Sequence, residues 1–452
     1  MLWQKMRQVD SKTQQPSEEN ALLPVGSSDT QDETTPRGSS VQGAALNFTN
    51  SIVGAGCIGL GSAMARSGGL ISIVTILFFA ILTKLSFDLV IILSVETEGA
   101  RGSYEQLGHI TYGSPGRFAV MLSKFLYSFG CLVAYIKIVK DNFASAVCDL
   151  TALEWNPDLV TTILSASVVL PLCLLREMTL LERVSVIKII VVASILSTLI
   201  YLYFRNPGGT VRKAGGSMST KWFELRIGYI ESLGTFVFTF VAQHTVNLAF
   251  ESLRPEIRTV KNWKMVSTIS VILSAALSLG VGIMVYITFW EDTSSAIFEL
   301  YPAVNAVAFA KLLLCFMLMF TYPLPFFSCR EIFIMQIPGW NEDTLQTDHY
   351  HSKRRWFLGG QDKQLVPSLH VLVTVVIWGV TTLLGVVAPS LSDILDLAGC
   401  ATGTVIAFIL PALFSFKLRG YSHLAVLILL VGGMVGLVGT YLSLRNLIYD
   451  SL

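Results

Sequence analysis

Asn50-Ser51-Ile52-Val53-Gly54-Ala55-Gly56-Cys57-Ile58-Gly59-Leu60-Gly61 lies inside an apolar stretch long enough to cross a bilayer, yet it carries four glycines. An unbroken helix in lipid has no use for them, because glycine lowers helix stability and leaves backbone amides accessible. Irregular backbone at membrane depth survives only where it is buried in protein or lines a cavity. A half-helix restarting at Gly56 would turn its free N–H groups and positive dipole end into such a cavity, where a carboxylate could bind. Gly54, Ala55 and Gly56 are therefore candidate substrate-binding positions. The alternative for the glycines alone is close helix packing through small residues.

The chain around this stretch has 452 residues, 52% hydrophobic and 14% charged, with a mean hydropathy of +0.61. A soluble protein of that size needs more polar surface, so lipid is the expected solvent. The formal net charge of +1 gives no reason to expect a nucleic-acid partner. Apolar stretches of about 20 residues recur about eleven times, which predicts an all-α membrane protein. The first six run from Ala45 to Ala65, Gly69 to Val95, Phe118 to Val147, Leu159 to Leu175, Leu181 to Phe204 and Ile227 to Phe250. The other five run from Met265 to Trp290, Val304 to Ile334, Leu369 to Ala388, Leu391 to Phe416 and Ser422 to Leu444. The predicted organisation is a disordered cytosolic tail over residues 1–43, a transmembrane transporter domain over 44–446 and a short C-terminal tail over 447–452.

The tail lacks the apolar core of a signal peptide. Connections on its side hold about 18 basic residues against about 8 on the other, which places it in the cytosol. Pro338 to Pro367 is the longest inner connection, and Tyr104 to Tyr112 reads as a short helix at the inner surface. The seven cysteines have no CxxC spacing or neighbouring histidines and read as packing residues.

A second interruption is expected in Phe240-Val241-Ala242-Gln243-His244-Thr245-Val246-Asn247. Polar side chains so crowded at membrane depth are costly unless they face water, ligand or one another. Breaks in the first and sixth spans are the pattern of two inverted five-helix repeats with a site between them, and the known example of that arrangement is the bacterial leucine transporter. Carbonyls of this segment, with Phe240, Ala242 and His244 as the named positions, would accept a substrate ammonium. In the eighth span, Thr321-Tyr322-Pro323-Leu324-Pro325 offers a hydroxyl and proline-freed carbonyls. Thr321, with carbonyls around Ile52 and Val53, could hold a hard cation such as sodium; the alternative is a hydroxyl that satisfies its own helix.

Lys84 and Asp88, four residues apart, read as a structural pair. Lys188 reads locally as a lysine that snorkels to the inner interface. His244 could sense pH, though a hydrogen-bonded histidine at the helix break is the plainer reading.

At these segments the chain resembles the amino acid/auxin permease family, and within it the sodium-coupled neutral amino acid transporters of solute carrier family 38. The resemblance spans Ala45 to Leu444. It is carried by Asn50 to Leu60, by Thr235 to Leu253 ending in Phe250-Glu251-Ser252-Leu253, by Tyr322 to Glu331, and by Ala388 to Leu413. It implies an eleven-span LeuT-like fold of the APC superfamily and cotransport of an amino acid by alternating access. It also associates Asn50 and Thr321 with sodium binding, and it admits a second role for Lys188, since in some related transporters an amine from this span replaces bound sodium and proton coupling follows. The chain departs from its relatives at His244-Thr245-Val246-Asn247, where they carry His-Pro or His-Ser, and in lacking a glycosylated outer loop. The expected protein is a monomeric, multi-pass carrier of neutral amino acids. It would be coupled to sodium or protons with no other cofactor, in the plasma membrane or in the vacuole or lysosome. A membrane amino-acid sensor without flux is the rival. No HExxH or GxSxG motif suggests an enzyme.

Overall fold

A computed structural model describes residues 38–97, 103–151, 155–175, 187–211, 222–335 and 367–449. The expected disordered tail up to residue 37, most of the connection from Pro338 to Pro367 and the last three residues lie outside them. Among the described residues, ten helices are long and apolar enough to cross a membrane, and a bent pair, Val41–Ile52 with Ala55–Ser67 at 56°, makes an eleventh span. The first span begins at Val41, inside the segment expected as tail, because Ser40 caps it by accepting from the Gly43 N–H.

After that broken first span come Gly69–Glu96, Tyr104–Thr151, Pro157–Leu174, Ile187–Arg205 and Tyr229–Glu251 as spans two to six. Val260–Phe289, Asn305–Phe333, Leu369–Val387, Leu391–Arg419 and His423–Ile448 are spans seven to eleven. The third is longer than expected because the inner helix Tyr104 to Tyr112 runs into it through a kink at Gly113, whose φ of 68° suits glycine. The tenth contains π turns at Gly399–Gly403 and Val405–Ile409, which no periodicity in the sequence announced.

An aromatic cluster ties four spans together. Phe48 of the first packs on Phe87 of the second at 4.9 Å and on Trp263 of the seventh at 5.3 Å, and Phe250 of the sixth meets Trp263 at 6.0 Å. Val74, Ile81, Ile190 and Leu383 point outward from their helices, as lipid-facing side chains do. Several charges inside the helices are paired: Lys84 meets Asp88 at 2.6 Å, as expected, with Ser267 donating to the same carboxylate. Lys124–Glu105, Lys137–Asp141 and Lys311–Asp149 are further pairs at 2.6 to 2.8 Å. At the N-terminal face a strap closes over the end of the sixth span: the Ser39 N–H donates to Ser252 O and the Arg254 N–H donates to Ser39 O.

Candidate functional site

The first span breaks at Val53 and Gly54, where the backbone is extended, and its second half restarts at Ala55 rather than Gly56. The N–H groups of Gly54, Ala55 and Gly56 find no acceptor among the described residues; the first bond of the turn is Cys57 N–H to Gly54 O at 3.3 Å. Consecutive free amides at a helix N-terminus are the anion-binding donors the sequence led one to expect at this break. The carbonyls of Ile52 and Val53 likewise accept no bond among the described residues.

The sixth span runs as Tyr229–Phe238, breaks through Thr239 to Ala242, and resumes as Gln243–Glu251. This corrects the expected position of the polar residues: Gln243, His244, Thr245 and Asn247 lie on the helix after the break. Most are satisfied there by neighbours. Gln243 reaches Ser86 and the Ala407 carbonyl, Asn247 donates to Ser94 at 3.1 Å, and Thr245 donates to Ala242 O at 2.9 Å. The Ala242 carbonyl is therefore engaged within the turn. Those of Thr239 and Phe240 remain without a donor among the described residues. His244 is also not the hydrogen-bonded residue expected; its Nδ1 has no partner among the described residues, and the ring lies tilted at 47° against Tyr127, with centroids 5.8 Å apart.

The two breaks touch. A Cβ built on Gly56 would lie 2.6 Å from Thr239 Cα and 2.9 Å from its Oγ1, so only glycine lets the backbones meet here. A Cβ on Gly54 would meet nothing closer than Tyr135 Oη at 3.5 Å, an ordinary contact.

Tyr127, Cys131 and Tyr135 of the third span sit one turn apart on the face that covers both breaks, and sequence reasoning missed them. Tyr127 Oη shares its one hydrogen between Phe238 O at 3.3 Å and Val241 O at 3.2 Å, bridging the sixth-span break from outside. The three residues recur at i, i+4 and i+8, but Lys124, Ser128, Lys137 and Asp141 on the same helix leave that stripe no more conspicuous than its neighbours. Tyr127→Phe would strip a donor from two buried carbonyls at a cost of about 1–3 kcal/mol. It is expected to lower the melting temperature and to reduce uptake roughly tenfold by that cost; unchanged uptake and melting would remove Tyr127 from the site.

Asn50 is buried with its Oδ1 unpartnered. Thr321 is buried too, and its hydroxyl donates to Met317 O of its own helix at 2.7 Å, the alternative given above for it. Pro325 lacks an N–H, which leaves the Thr321 carbonyl without its helical donor. The first and eighth spans do not pack extensively on each other; the fifth span touches both. That span carries Lys188, which corrects the snorkelling expectation: it is 5% exposed, has no ion pair or hydrogen bond among the described residues, and lies within electrostatic range of Cys57 and Cys131. The fifth span's packing holds Lys188 inward beside the first-span break, away from the interface.

On the face opposite the N-terminus, the second half of the first span, the first half of the sixth and the start of the tenth are locked together. Arg66 pairs with Asp396 at 2.7 Å, and the other Asp396 oxygen accepts from the Thr235 N–H at 2.9 Å and the Thr235 hydroxyl at 2.6 Å. Ser62 and Ser392 share a hydrogen bond of 2.9 Å just below, and Gly234 and Gly399 allow the sixth and tenth spans into backbone contact.

The chain is similar over residues 37–444 to the family described as transmembrane amino acid transporter protein. A putative sodium-coupled neutral amino acid transporter 11 of Danio rerio is 28% identical over 417 residues, covering 89% of this chain and 85% of its own. The Rattus norvegicus protein of the same name is 26% identical, covering 90% and 86%. Sodium-coupled neutral amino acid symporter 2 of Danio rerio is 24% identical, covering 85% and 77%. Among solved structures, Mhp1, a nucleobase-cation-symport-1 family transporter, matches in a closed conformation with a TM-score of 0.55 at 14% identity, covering 92% of this chain and 94% of that one. Inward-facing Mhp1 matches with a TM-score of 0.58 at 13% identity, covering 95% and 96%. The shared fold is the LeuT-like arrangement of two inverted five-helix repeats with breaks in the first and sixth spans, as read from the sequence. This chain, a multi-pass membrane protein that resembles the sodium-coupled neutral amino acid transporters, belongs to the transmembrane amino acid transporter family.

Proposed function

We propose that this protein carries a small neutral amino acid across its membrane by alternating access, driven by a cation gradient. The observation that carries this reading is the pairing of free amides at Gly54, Ala55 and Gly56 with free carbonyls at Thr239 and Phe240, across two breaks that touch at Gly56. The amides suit the carboxylate of a zwitterion and the carbonyls its ammonium, while His244 follows the same break on the second half of the sixth span. The similarity to proteins named as sodium-coupled neutral amino acid transporters supports the substrate class.

For the coupling ion, we propose that the Lys188 ammonium acts where a bound cation would otherwise sit, so that protons drive transport. This is supported by the inward placement of Lys188 beside the first span and by the commitment of the Thr321 hydroxyl to its own helix. Protonated Lys188 would stabilise the substrate-competent arrangement of the break, and proton release would accompany the opposite state. Asn50, with the carbonyls of Ile52, Val53 and Thr321, is the donor set a sodium ion would use instead. A cytosolic N-terminus belongs to the same proposal, supported by the distribution of basic residues along the sequence.

Uptake of labelled glutamine or alanine into proteoliposomes, with sodium replaced by choline at two pH values, tests both levels. Uptake driven by a pH gradient in choline, and reduced at least tenfold in Lys188→Gln by loss of one coupling charge, is the expected result. Sodium-dependent uptake that Lys188→Gln leaves intact would overturn the proton assignment. Amino acid binding with no gradient-driven flux would replace the transporter by a sensor.

A further inference from the structure

Away from the two breaks, a cavity of about 390 Å³ opens on the N-terminal face between the ends of the second, seventh, tenth and eleventh spans. Its volume falls in the range of small-molecule sites. Its polar wall is unusual in what it leaves unused. Asp88 is neutralised by Lys84 and hydrogen-bonded by Ser267, and Arg419 pairs with Glu96 at 2.9 Å. The Lys264 ammonium, by contrast, is on an exposed side chain and has no hydrogen bond or ion pair among the described residues, so it is the uncompensated charge of the lining.

Two further donors face the same space. Ser415 is only 1% exposed, lines the cavity, and its hydroxyl has no partner among the described residues. The eleventh span begins here, and Ser422 makes no side-chain cap, so the N–H groups of His423 and Leu424 have no acceptor among the described residues; the first bond of the turn is Val426 N–H to Ser422 O. A positive side chain, a buried unpartnered hydroxyl and an uncapped helix start converge on one volume, and the ligand chemistry they share is an anion with several acceptor oxygens.

The remaining wall is apolar and half-buried, with Leu85 of the second span and Leu424 of the eleventh at its margin. Such a wall suits an acyl chain and offers nothing to a free anion. Basic pockets between helices on the cytosolic side of membrane proteins hold anionic lipid headgroups. We propose that this cavity holds the phosphate headgroup of an anionic phospholipid from the leaflet at the N-terminal face, with Lys264, the Ser415 hydroxyl and the first turn of the eleventh span as its donors. The headgroup would join the seventh span, part of the aromatic-tied group of spans one, two, six and seven, to the tenth and eleventh.

The test is native mass spectrometry of the full chain released from nanodiscs of phosphatidylcholine with added phosphatidylserine, read as retained lipid per protein. Wild type is expected to retain phosphatidylserine preferentially. Lys264→Gln should retain roughly fivefold less, the weight of one basic residue at a lipid surface. Ser415→Ala should also retain less, and Lys261→Gln, an exposed lysine on the same helix outside the cavity, should match wild type. Both lysine positions are on the surface, so folding is not at stake in that comparison. Equal retention of the two lipids by wild type, or equal loss in Lys264→Gln and Lys261→Gln, would overturn the site. Release of the bound lipid by millimolar inorganic phosphate would assign the cavity to a free anion and overturn the lipid.

Discussion

Gly56→Ala is expected to abolish uptake and lower the yield of folded protein, while Gly54→Ala leaves folding intact. The added methyl at Gly56 would sit 2.6 Å from the Thr239 Cα, inside backbone that no rotamer change can move. Overpacking of this kind costs about 1–3 kcal/mol, and the upper end applies when backbone rather than a side-chain tip must shift. The same methyl at Gly54 meets only Tyr135 Oη at 3.5 Å. Size-exclusion profiles and melting curves of the two variants, followed by uptake, separate the cases. Equal behaviour of both variants would mean that the breaks do not touch at Gly56.

The second large effect concerns Asp396. Its carboxylate is 4% exposed and gathers the Arg66 guanidinium, the Thr235 N–H and the Thr235 hydroxyl, joining the first, sixth and tenth spans. Asp396→Ala would leave a guanidinium and two buried donors without their acceptor, and breaking a buried pair from one side costs about 3–5 kcal/mol. The expected result is a markedly lower melting temperature and loss of uptake. Arg66→Ala should be at least as damaging, because it strands the more buried partner of the pair. Asp396→Asn keeps an oxygen for Thr235 and should fall between. If this cluster seals the face opposite the N-terminus during the cycle, a cysteine introduced at Ala242 should become more accessible from that face in Asp396→Asn. Wild-type melting and uptake in Asp396→Ala would show that the cluster carries no weight.

Much of the architecture was open to reading from residue order because lipid imposes a strict rule. Backbone must be satisfied within each segment, so apolar length alone marks the spans and misplaced polarity alone marks the breaks. Asn50 to Gly61 and Phe240 to Asn247 stood out for that reason, and the Lys84–Asp88 pair followed from helical spacing. Tyr127 escaped, since its hydroxyl serves carbonyls more than a hundred positions further along the chain, and nothing in the third span announces them. The direction of Lys188 was likewise undetermined, because a lysine near a helix end can turn toward the interface or inward, and only the packing of the fifth span decides. The Arg66–Asp396–Thr235 cluster is of the same kind, with donors and acceptor 161 or more residues apart in sequence. Local order therefore determined where the helices lie and where they break, through hydropathy and backbone chemistry that act within one turn. Which side chains close around those breaks was decided by tertiary contact, because long-range partners are chosen by how whole helices pack.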